Sequence, residues 1–300
     1  MKESMKSLIR FKSILRNRRK LKRTPWKEVF LFLFPGFAGV CLFVLLPFGD
    51  VVRRSFLTAV TEEWAGLSNY EIILHNQAFL LAAKNTLRFM CLCLPLLIVI
   101  SLFLAYGLSK SKYMKLLKSL YLLPMAIPAA AVVLVWKLLF DRQGMLNGIW
   151  EPLFGVQVDY MGTKAAFWVL VVSYIWKNLG YTVILWLAGI MGISQGIIDA
   201  ARVDGAGEGT CFFRIILPNL KPTLYTITVL SFLNSFKVFR EAYLVAGAYP
   251  HESMYLLQHL FNNWFLNLDM DKMAAAAVLT AAVMLVFVLI LQALWDKKEV

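Results

Sequence analysis

The amino-acid sequence predicts an all-α membrane protein with six transmembrane helices. Of its 300 residues, 60% are hydrophobic, whereas soluble domains contain about 45–50%. Only 16% are charged, against roughly 25% in an average soluble domain. The hydrophobic residues fall into six runs, each of about 20 residues or more, which is the length that crosses a bilayer as a helix. This composition excludes a disordered chain, a collagen and a disulfide-rich scaffold.

Each of the six runs is expected to be helical, because backbone groups that face lipid must form hydrogen bonds within their own segment. The first run is too long for the hydrophobic part of a signal peptide, and no A-x-A-like site follows it, so we expect a retained helix. Prolines within the runs should kink these helices without excluding them. The runs cover about residues 29–48, 86–108, 116–140, 165–190, 224–246 and 273–294.

The positions of Lys and Arg predict how the chain is oriented. Eleven of the 31 lie in the first 27 residues. With the N-terminus in the cytoplasm, 20 are assigned to the cytoplasmic side and eight to the outer side, as the positive-inside rule requires. Six spans then place both termini in the cytoplasm. The expected organisation is a basic tail at 1–28, a transmembrane domain at 29–296 and a short tail at 297–300.

The segment between the fourth and fifth runs, at about 194–218, is too long for a tight turn. Ser194 is placed to cap a short helix. Asp204 and Gly205 form a turn signal, because glycine adopts a positive φ without a clash. A second short helix should follow and end before Pro218. The sequence therefore predicts a helix–turn–helix loop at the cytoplasmic face, and its small residues would allow another protein surface to approach closely: Ala200, Ala201, Gly205 and Ala206.

This loop resembles the signature of the permeases of binding-protein-dependent ABC transporters. That signature is E-A-A, two further residues, D-G-A and, about ten residues on, I-x-L-P. The residues that match it are Asp199, Ala200, Ala201, Asp204, Gly205, Ala206, Ile215, Leu217 and Pro218. Asp199 departs from the usual Glu and keeps the acid with a shorter reach. The resemblance covers most of the chain after residue 66, and it is to the carbohydrate-uptake branch, especially the first permease of maltose and glycerol-phosphate importers.

The resemblance implies the type I ABC importer permease fold, in which this loop is the coupling helix that inserts into an ATPase subunit. Gly205 would permit the turn, and Asp199 would offer a charge to the surface of the ATPase subunit. The alternative is that the loop only packs against the helix ends of its own chain. The implied partners are a cytoplasmic ABC ATPase dimer, a second, non-identical permease and an extracytoplasmic solute-binding protein, in the cytoplasmic membrane of a prokaryote.

The chain is not expected to be an enzyme. It contains no G-x-x-x-x-G-K-[ST] phosphate-binding loop, so ATP hydrolysis is assigned to a separate chain. The three His residues fall in outer loops without a nearby nucleophile, and Cys91-x-Cys93 has the wrong spacing for zinc. We therefore expect neither a cofactor nor a metal. The basic tail adjoins an apolar run, which favours the lipid bilayer over nucleic acid as its partner.

Polar residues inside the runs are the candidates for a substrate path, since ionisable groups at this depth are costly and usually functional. On the fourth run, Lys177 and Tyr181 share one helix face. On the fifth run, Asn234, Lys237 and Glu241 share another. Such groups are able to form hydrogen bonds with sugar hydroxyls. The structural alternatives are that the lysines pair with helix ends or a partner subunit, or that Lys237 pairs with Glu241 one helical turn away.

Taken together, these observations predict a translocation subunit that moves a carbohydrate or related polyol and is coupled to a separate ATPase. The alternative is a self-contained secondary transporter. It is disfavoured because the sequence contains no inverted repeat and no pair of spans that Gly or Pro interrupts at matching positions in two halves.

Overall fold

A computed structural model describes residues 26–112 and 114–296. Nearly the whole of the expected N-terminal tail and the expected C-terminal tail lie outside these residues. Within them the regular elements are helical, apart from one antiparallel bridge between Leu57 and Trp64. The expectation of an all-α chain is therefore confirmed.

The chain divides into two compact units at Arg54. The first unit contains α1, which runs through Trp26–Val40, a π-helical turn at Cys41–Leu45 and Leu46–Arg54. The helices of the second unit are α2 (Ser68–His75), α3 (Gln77–Ser109), α4 (Met114–Ala126), α5 (Ala129–Phe140), α6 (Met145–Phe154), α7 (Ala166–Met191), α8 (Gln195–Val203), α9 (Glu208–Cys211), α10 (Lys221–Ser235), α11 (Phe239–Ala246), α12 (Leu257–Leu266) and α13 (Met270–Asp296).

Among the described residues, four helices are long and apolar enough to cross a membrane. They are Val29–Arg54, Gln77–Ser109, Ala166–Met191 and Met270–Trp295, and they match the first, second, fourth and sixth predicted runs. A fifth is added if Lys118–Ala126 and Ala129–Phe154, which meet at 95°, form one broken span. The break falls at Pro128, which lacks an N–H and disfavours the helical conformation in the residue before it.

The fifth predicted run is not one of these apolar helices in the described part of the chain. It consists of α10 and α11, joined by a 3₁₀ turn at Phe236–Val238. Its second half carries Lys237, Arg240 and Glu241, which lower its hydropathy. Of these three, the Glu241 side chain is buried within the protein, whereas those of Lys237 and Arg240 are exposed.

Helices α3 and α7 pack together along their length and form the centre of the second unit. Phe89 of α3 and Tyr174 of α7 meet edge to face, with ring centroids 5.3 Å apart. Further along the same interface, the indole nitrogen of Trp186 donates to Ile98 O at 3.2 Å and to Ser101 Oγ at 3.1 Å. The buried indole N–H is therefore satisfied, as a group removed from water must be. This interface holds α7 in place as the scaffold of the site described below.

Helix α4 crosses α7 at a point where the backbones almost touch. A Cβ atom at Gly180 of α7 would lie 1.6 Å from the carbonyl oxygen of Tyr121 in α4. Real Cβ atoms essentially never come so close to backbone, so only glycine fits there. Close approach through small residues is a common way for helices to associate in membranes.

We expect Gly180→Ala to destabilise the protein, because the added methyl group forces α4 away from α7. The cost of such overpacking is at least about 1–3 kcal/mol. The measurement is the thermal unfolding midpoint of the purified protein in detergent. Gly107→Ala in α3 is the matched control, since a Cβ at Gly107 meets nothing within 4 Å. Equal midpoints for the two variants would contradict the close crossing.

Candidate functional site

A polar cavity lies between α7, the end of α4 and the junction of α10 with α11. Its lining residues are Met125, Ser173, Tyr174, Lys177, Asn178, Asn234, Lys237, Val238 and Glu241. Four of the five residues expected on the substrate path are thus brought together: Lys177, Asn234, Lys237 and Glu241. Tyr181, the fifth, is not among the lining residues. The cavity adjoins both helix interruptions, the one that follows α4 and the one between α10 and α11.

The cavity lies about half-way along α7. Lys177 follows Ala166, the first residue of this 26-residue helix, by eleven positions, which is about 17 Å of helix. A helix of this length reaches across the hydrocarbon core of a bilayer. Lys177, a charged residue, is therefore far from both ends of the span.

An ion pair between Lys177 and Glu241 crosses the cavity. Lys177 Nζ donates to Glu241 Oε1. The Glu241 side chain is 7% exposed and that of Lys177 is 28% exposed, so the pair is largely removed from solvent. It joins α7 to α11, and it supplies the buried carboxylate with the partner that such a group requires.

The suggested pairing of Lys237 with Glu241 is wrong, because Glu241 pairs with Lys177 instead. That suggestion assumed a regular α-helix, in which residues four apart lie on one face. The 3₁₀ turn at Phe236–Val238 has about three residues per turn instead of 3.6. This tighter winding changes the angle around the helix axis that separates Lys237 from Glu241. The Lys237 side chain is exposed.

Hydrogen bonds from neighbouring helices stabilise the interrupted segment. Gln258 Nε2 of α12 donates to Phe236 O at 2.9 Å, which satisfies a carbonyl at the 3₁₀ turn. The Tyr174 hydroxyl of α7 donates to Ser231 O of α10 at 2.7 Å. A helix break at membrane depth is tolerated where the freed backbone groups find such partners. These contacts position Asn234 and Lys237 at the cavity wall.

Asn234 and Lys237 are the polar residues of the wall whose side chains have no hydrogen-bond or ion-pair partner within the described residues. Asn234 is half-buried and Lys237 is exposed, and neither forms a side-chain hydrogen bond or an ion pair there. Both are therefore available to a ligand or to another subunit.

The predicted loop is a helix–turn–helix in the structure. α8 ends at Val203, and Gly205 adopts a φ of +85°. Ala206 N donates to Ala201 O at 2.9 Å, and Gly205 N donates to Arg202 O at 3.0 Å, which closes the turn. A Cβ atom at Gly205 would have open space around it, so it is the backbone conformation that favours glycine there.

Two details of the loop differ from the expectation. Ser194 occupies the N-cap position of α8 but makes no capping hydrogen bond with its side chain. The second helix does not end before Pro218, because α9 continues through a π-helical turn at Phe212–Ile216 and then through Leu217–Asn219. The wider π turn changes the hydrogen-bond register, and Pro218 stands at the start of the last short segment, where its missing N–H is tolerated.

The loop has one face packed against its own chain and one face exposed. Ile198 and Phe212 are buried and anchor the packed face, with the Phe212 ring 4.6 Å from that of Tyr106 in α3. Asp199, Ala200, Asp204, Gly205 and Pro218 are exposed, whereas Ala201, Ala206 and Leu217 are half-buried. Packing against the helix ends of its own chain therefore explains the packed face of this loop but not its exposed face.

A charged cluster around Glu208 ties the loop to the end of α3. The Glu208 carboxylate accepts hydrogen bonds from Lys110 Nζ, from Tyr106 OH at 3.1 Å and from Arg202 Nη2 at 3.0 Å. The bond from Lys110 is the main reason that the pKa of Glu208 is lowered to about 2, and the bonds from Tyr106 and Arg202 add to it. Sequence reasoning missed this cluster, because nearly 100 residues separate Lys110 from Glu208 and no periodicity links them.

Nothing in the described part of the chain forms a metal site, since no group of three or more His, Cys, Asp or Glu side chains converges there. The described cysteines are free.

The comparison with known families decides the identity of the chain. Residues 89–299 match the family described as the inner membrane component of binding-protein-dependent transport systems. The chain belongs to this family. The resemblance read from the loop is therefore confirmed, and the protein is an ABC transporter permease.

Curated relatives match this permease over most of their length. The trehalose/maltose transport system permease MalF of Thermococcus litoralis is 28% identical over 90% of this chain and 94% of its own. The probable ABC transporter permease YesP of Bacillus subtilis is 28% identical over 78% and 80%. The sn-glycerol-3-phosphate transport system permease UgpA of Yersinia pestis is 27% identical over 83% and 88%.

The fold of this permease is that of a solved importer. A chain of a bacterial ABC transporter involved in the import of the acidic polysaccharide alginate superposes with a TM-score of 0.81 at 23% sequence identity. The match covers 94% of this permease and 99% of that chain. At this level of identity the similarity shows the fold alone, and it confirms the expectation of an ABC importer permease architecture.

We expect Lys177→Met to destabilise the permease, because it leaves the Glu241 carboxylate buried without a partner. Breaking a buried pair costs about 3–5 kcal/mol. The double variant Lys177→Met with Glu241→Gln should recover much of this loss, since it removes both charges. The measurement is a double-mutant cycle on thermal unfolding midpoints in detergent.

Lys137→Met is the control for this cycle, because Lys137 is an exposed helical lysine that takes part in no described ion pair. It should leave the unfolding midpoint unchanged. Additive effects of Lys177→Met and Glu241→Gln, with no recovery in the double variant, would contradict a coupled pair.

Proposed function

We propose that this permease forms one half of a transmembrane path through which an ABC importer moves a carbohydrate or related polyol. The polar cavity half-way along α7 is the observation that carries the proposal, because a membrane span has no structural need for a cluster of polar groups at that depth. The names of the relatives, which include transporters of trehalose, maltose and glycerol phosphate, support a polyhydroxylated substrate.

Six spans with both termini in the cytoplasm are part of this proposal. Four of the spans are the long apolar helices. Another, third along the chain, is the broken pair at Lys118–Ala126 and Ala129–Phe154. The remaining span, fifth along the chain, is α10 with α11. This last span matches the fifth predicted run, and two of its charged residues, Lys237 and Glu241, line the cavity. The distribution of Lys and Arg supports this orientation in a prokaryotic cytoplasmic membrane.

The importer proposed here also contains a second, non-identical permease, a cytoplasmic ABC ATPase dimer and an extracytoplasmic solute-binding protein. The dependence of the family on a binding protein supports the last of these. The exposure of Lys237 at the cavity wall supports the second permease, because a lone charged group at this depth requires a partner or a ligand. The two permeases would then each supply one wall of the path.

The loop at 194–218 is proposed as the coupling segment that meets the ATPase. Its exposed face carries Asp199, Ala200 and Asp204 around the turn at Gly205, and it is small enough for a close contact. Its packed face is tied to α3 through Glu208, and its first helix follows α7 after three residues. A force applied to this face therefore acts on the helix that carries Lys177.

We expect Gly205→Val to abolish uptake while the assembled transporter still hydrolyses ATP. Valine at a φ of +85° adds strain of about 1–3 kcal/mol, which opens the turn and moves the face around Ala200. The measurement is substrate uptake and ATP hydrolysis by the complete transporter in proteoliposomes.

The matched control is Gly207→Val, two residues further along the same loop. Gly207 has an extended backbone, with φ −72° and ψ 168°, and a Cβ there meets nothing within 4 Å. Because valine accepts this conformation, Gly207→Val should retain uptake. Normal coupled uptake by Gly205→Val would remove the loop from the coupling mechanism.

We expect Asn234→Ala to weaken uptake without changing assembly, since the variant loses one hydrogen bond to substrate. A loss of about 0.5–1.5 kcal/mol corresponds to roughly a two- to tenfold rise in the substrate concentration for half-maximal uptake. Thr226→Ala is the control on the same helix, because the Thr226 hydroxyl is exposed and bonds within α10. An unchanged concentration dependence for Asn234→Ala would place α10 outside the substrate path.

A further inference from the structure

We infer that the substrate of this permease is an anion: a carbohydrate that carries a carboxylate or phosphate group, bound through Lys237. The inference rests on the proposed function and goes beyond it by naming the chemical class of the substrate.

The first argument is the balance of charge at the cavity wall. The charged residues that line the cavity are two cations, Lys177 and Lys237, and one carboxylate, Glu241. Lys177 and Glu241 neutralise each other through their ion pair. The cavity is therefore left with one positive charge, which is located on Lys237.

The second argument is that no carboxylate of the described residues compensates Lys237. The ion pairs found there do not include Lys237 or its neighbour Arg240, which is also exposed. Lys237 lies on the 3₁₀ turn and forms no ion pair with Glu241, which is paired with Lys177. An uncompensated lysine at the depth of the cavity is costly unless an anion meets it.

The third argument concerns the hydrogen bonds that remain free for a ligand. Tyr174 OH donates to Ser231 O at 2.7 Å, Ser173 Oγ to Val169 O at 2.7 Å and Asn178 Nδ2 to Tyr174 O at 2.9 Å. These donors are already used within the chain. Among the lining side chains, this leaves the Asn234 amide and the Lys237 ammonium without partners.

The charged side chains of this site leave a net positive charge. An ammonium has three donors and no acceptor, and the charge of the only carboxylate of the wall is neutralised by Lys177. A neutral sugar presents hydroxyls that both donate and accept, and it leaves the charge of Lys237 uncompensated. An oxyanion presents acceptors only and forms a charge-assisted bond with the ammonium. The geometry therefore favours an acidic or phosphorylated carbohydrate over its neutral counterpart.

The test is a binding titration on the assembled transporter, with both permeases and the ATPase, in lipid nanodiscs without the binding protein. The probes are a neutral disaccharide, the same disaccharide with a uronic acid, and its phosphorylated form. The variants are Lys237→Gln and Lys237→Arg. Lys137→Gln is the control, since it removes an exposed helical lysine that does not line the cavity.

We expect the wild type to bind one of the anionic probes more tightly than the neutral one, and the preferred probe identifies the oxyanion. Lys237→Gln should weaken that binding roughly 10- to 100-fold, the range for loss of a charged hydrogen bond, and should weaken binding of the neutral probe much less. Lys237→Arg should retain the preference, because it keeps the charge, and Lys137→Gln should behave as the wild type.

Three results would overturn the inference. Equal or tighter binding of the neutral probe by the wild type would leave the proposed carbohydrate function intact and contradict an anionic substrate. A Lys237→Gln variant that keeps its preference for the anion, or that fails to assemble with the second permease while Lys237→Arg assembles, would show that Lys237 pairs with a partner subunit. Binding of none of the three probes would contradict the proposed function itself.

Discussion

The ion pair between Lys177 and Glu241 is the interaction on which the arrangement of the cavity depends. A carboxylate that is 7% exposed in the middle of a membrane bundle has to be neutralised, and Lys177 is the partner that the structure provides. The pair fixes α11 against α7. The 3₁₀ turn before α11 then determines which polar side chains line the wall, and Gln258 and Tyr174 support it with hydrogen bonds. The pair adds to the packing that holds α11, whose Ala242 is buried in the core and whose Phe239 ring meets His259 of α12.

Much of this architecture was predictable from the sequence, because apolar runs of bilayer length and a polar residue on a helix face are local signals. Four of the five expected substrate-path residues meet in one cavity, and Gly205 has the positive φ that its turn requires. The partner of Glu241 was not predictable, since the choice between Lys177 and Lys237 depends on a 3₁₀ turn that no local pattern indicates. The Glu208 cluster was not predictable for a similar reason, because its members lie far apart in the sequence.

Helix α7 connects the two candidate sites. Its middle carries Lys177 at the cavity, its Gly180 fixes the crossing with α4, and its C-terminal end leads into α8 of the loop. A packed helix transmits a displacement along its length because protein interiors are nearly close-packed. In our account, a movement of the loop under the ATPase is therefore delivered to the ion pair by α7, and no separate pathway is needed.

The central claim is that the cavity lies on the path of the substrate, and cysteine labelling tests it most directly. Asn234→Cys is placed in a transporter from which Cys41, Cys91, Cys93 and Cys211 have been removed, with Val283→Cys on the exposed face of α13 as a control. A charged thiol reagent should label position 234 from one side of the membrane without nucleotide, and ATP trapping or bound substrate should slow that labelling, while position 283 stays unlabelled. A rate of labelling at position 234 that neither ATP nor substrate changes would contradict the account.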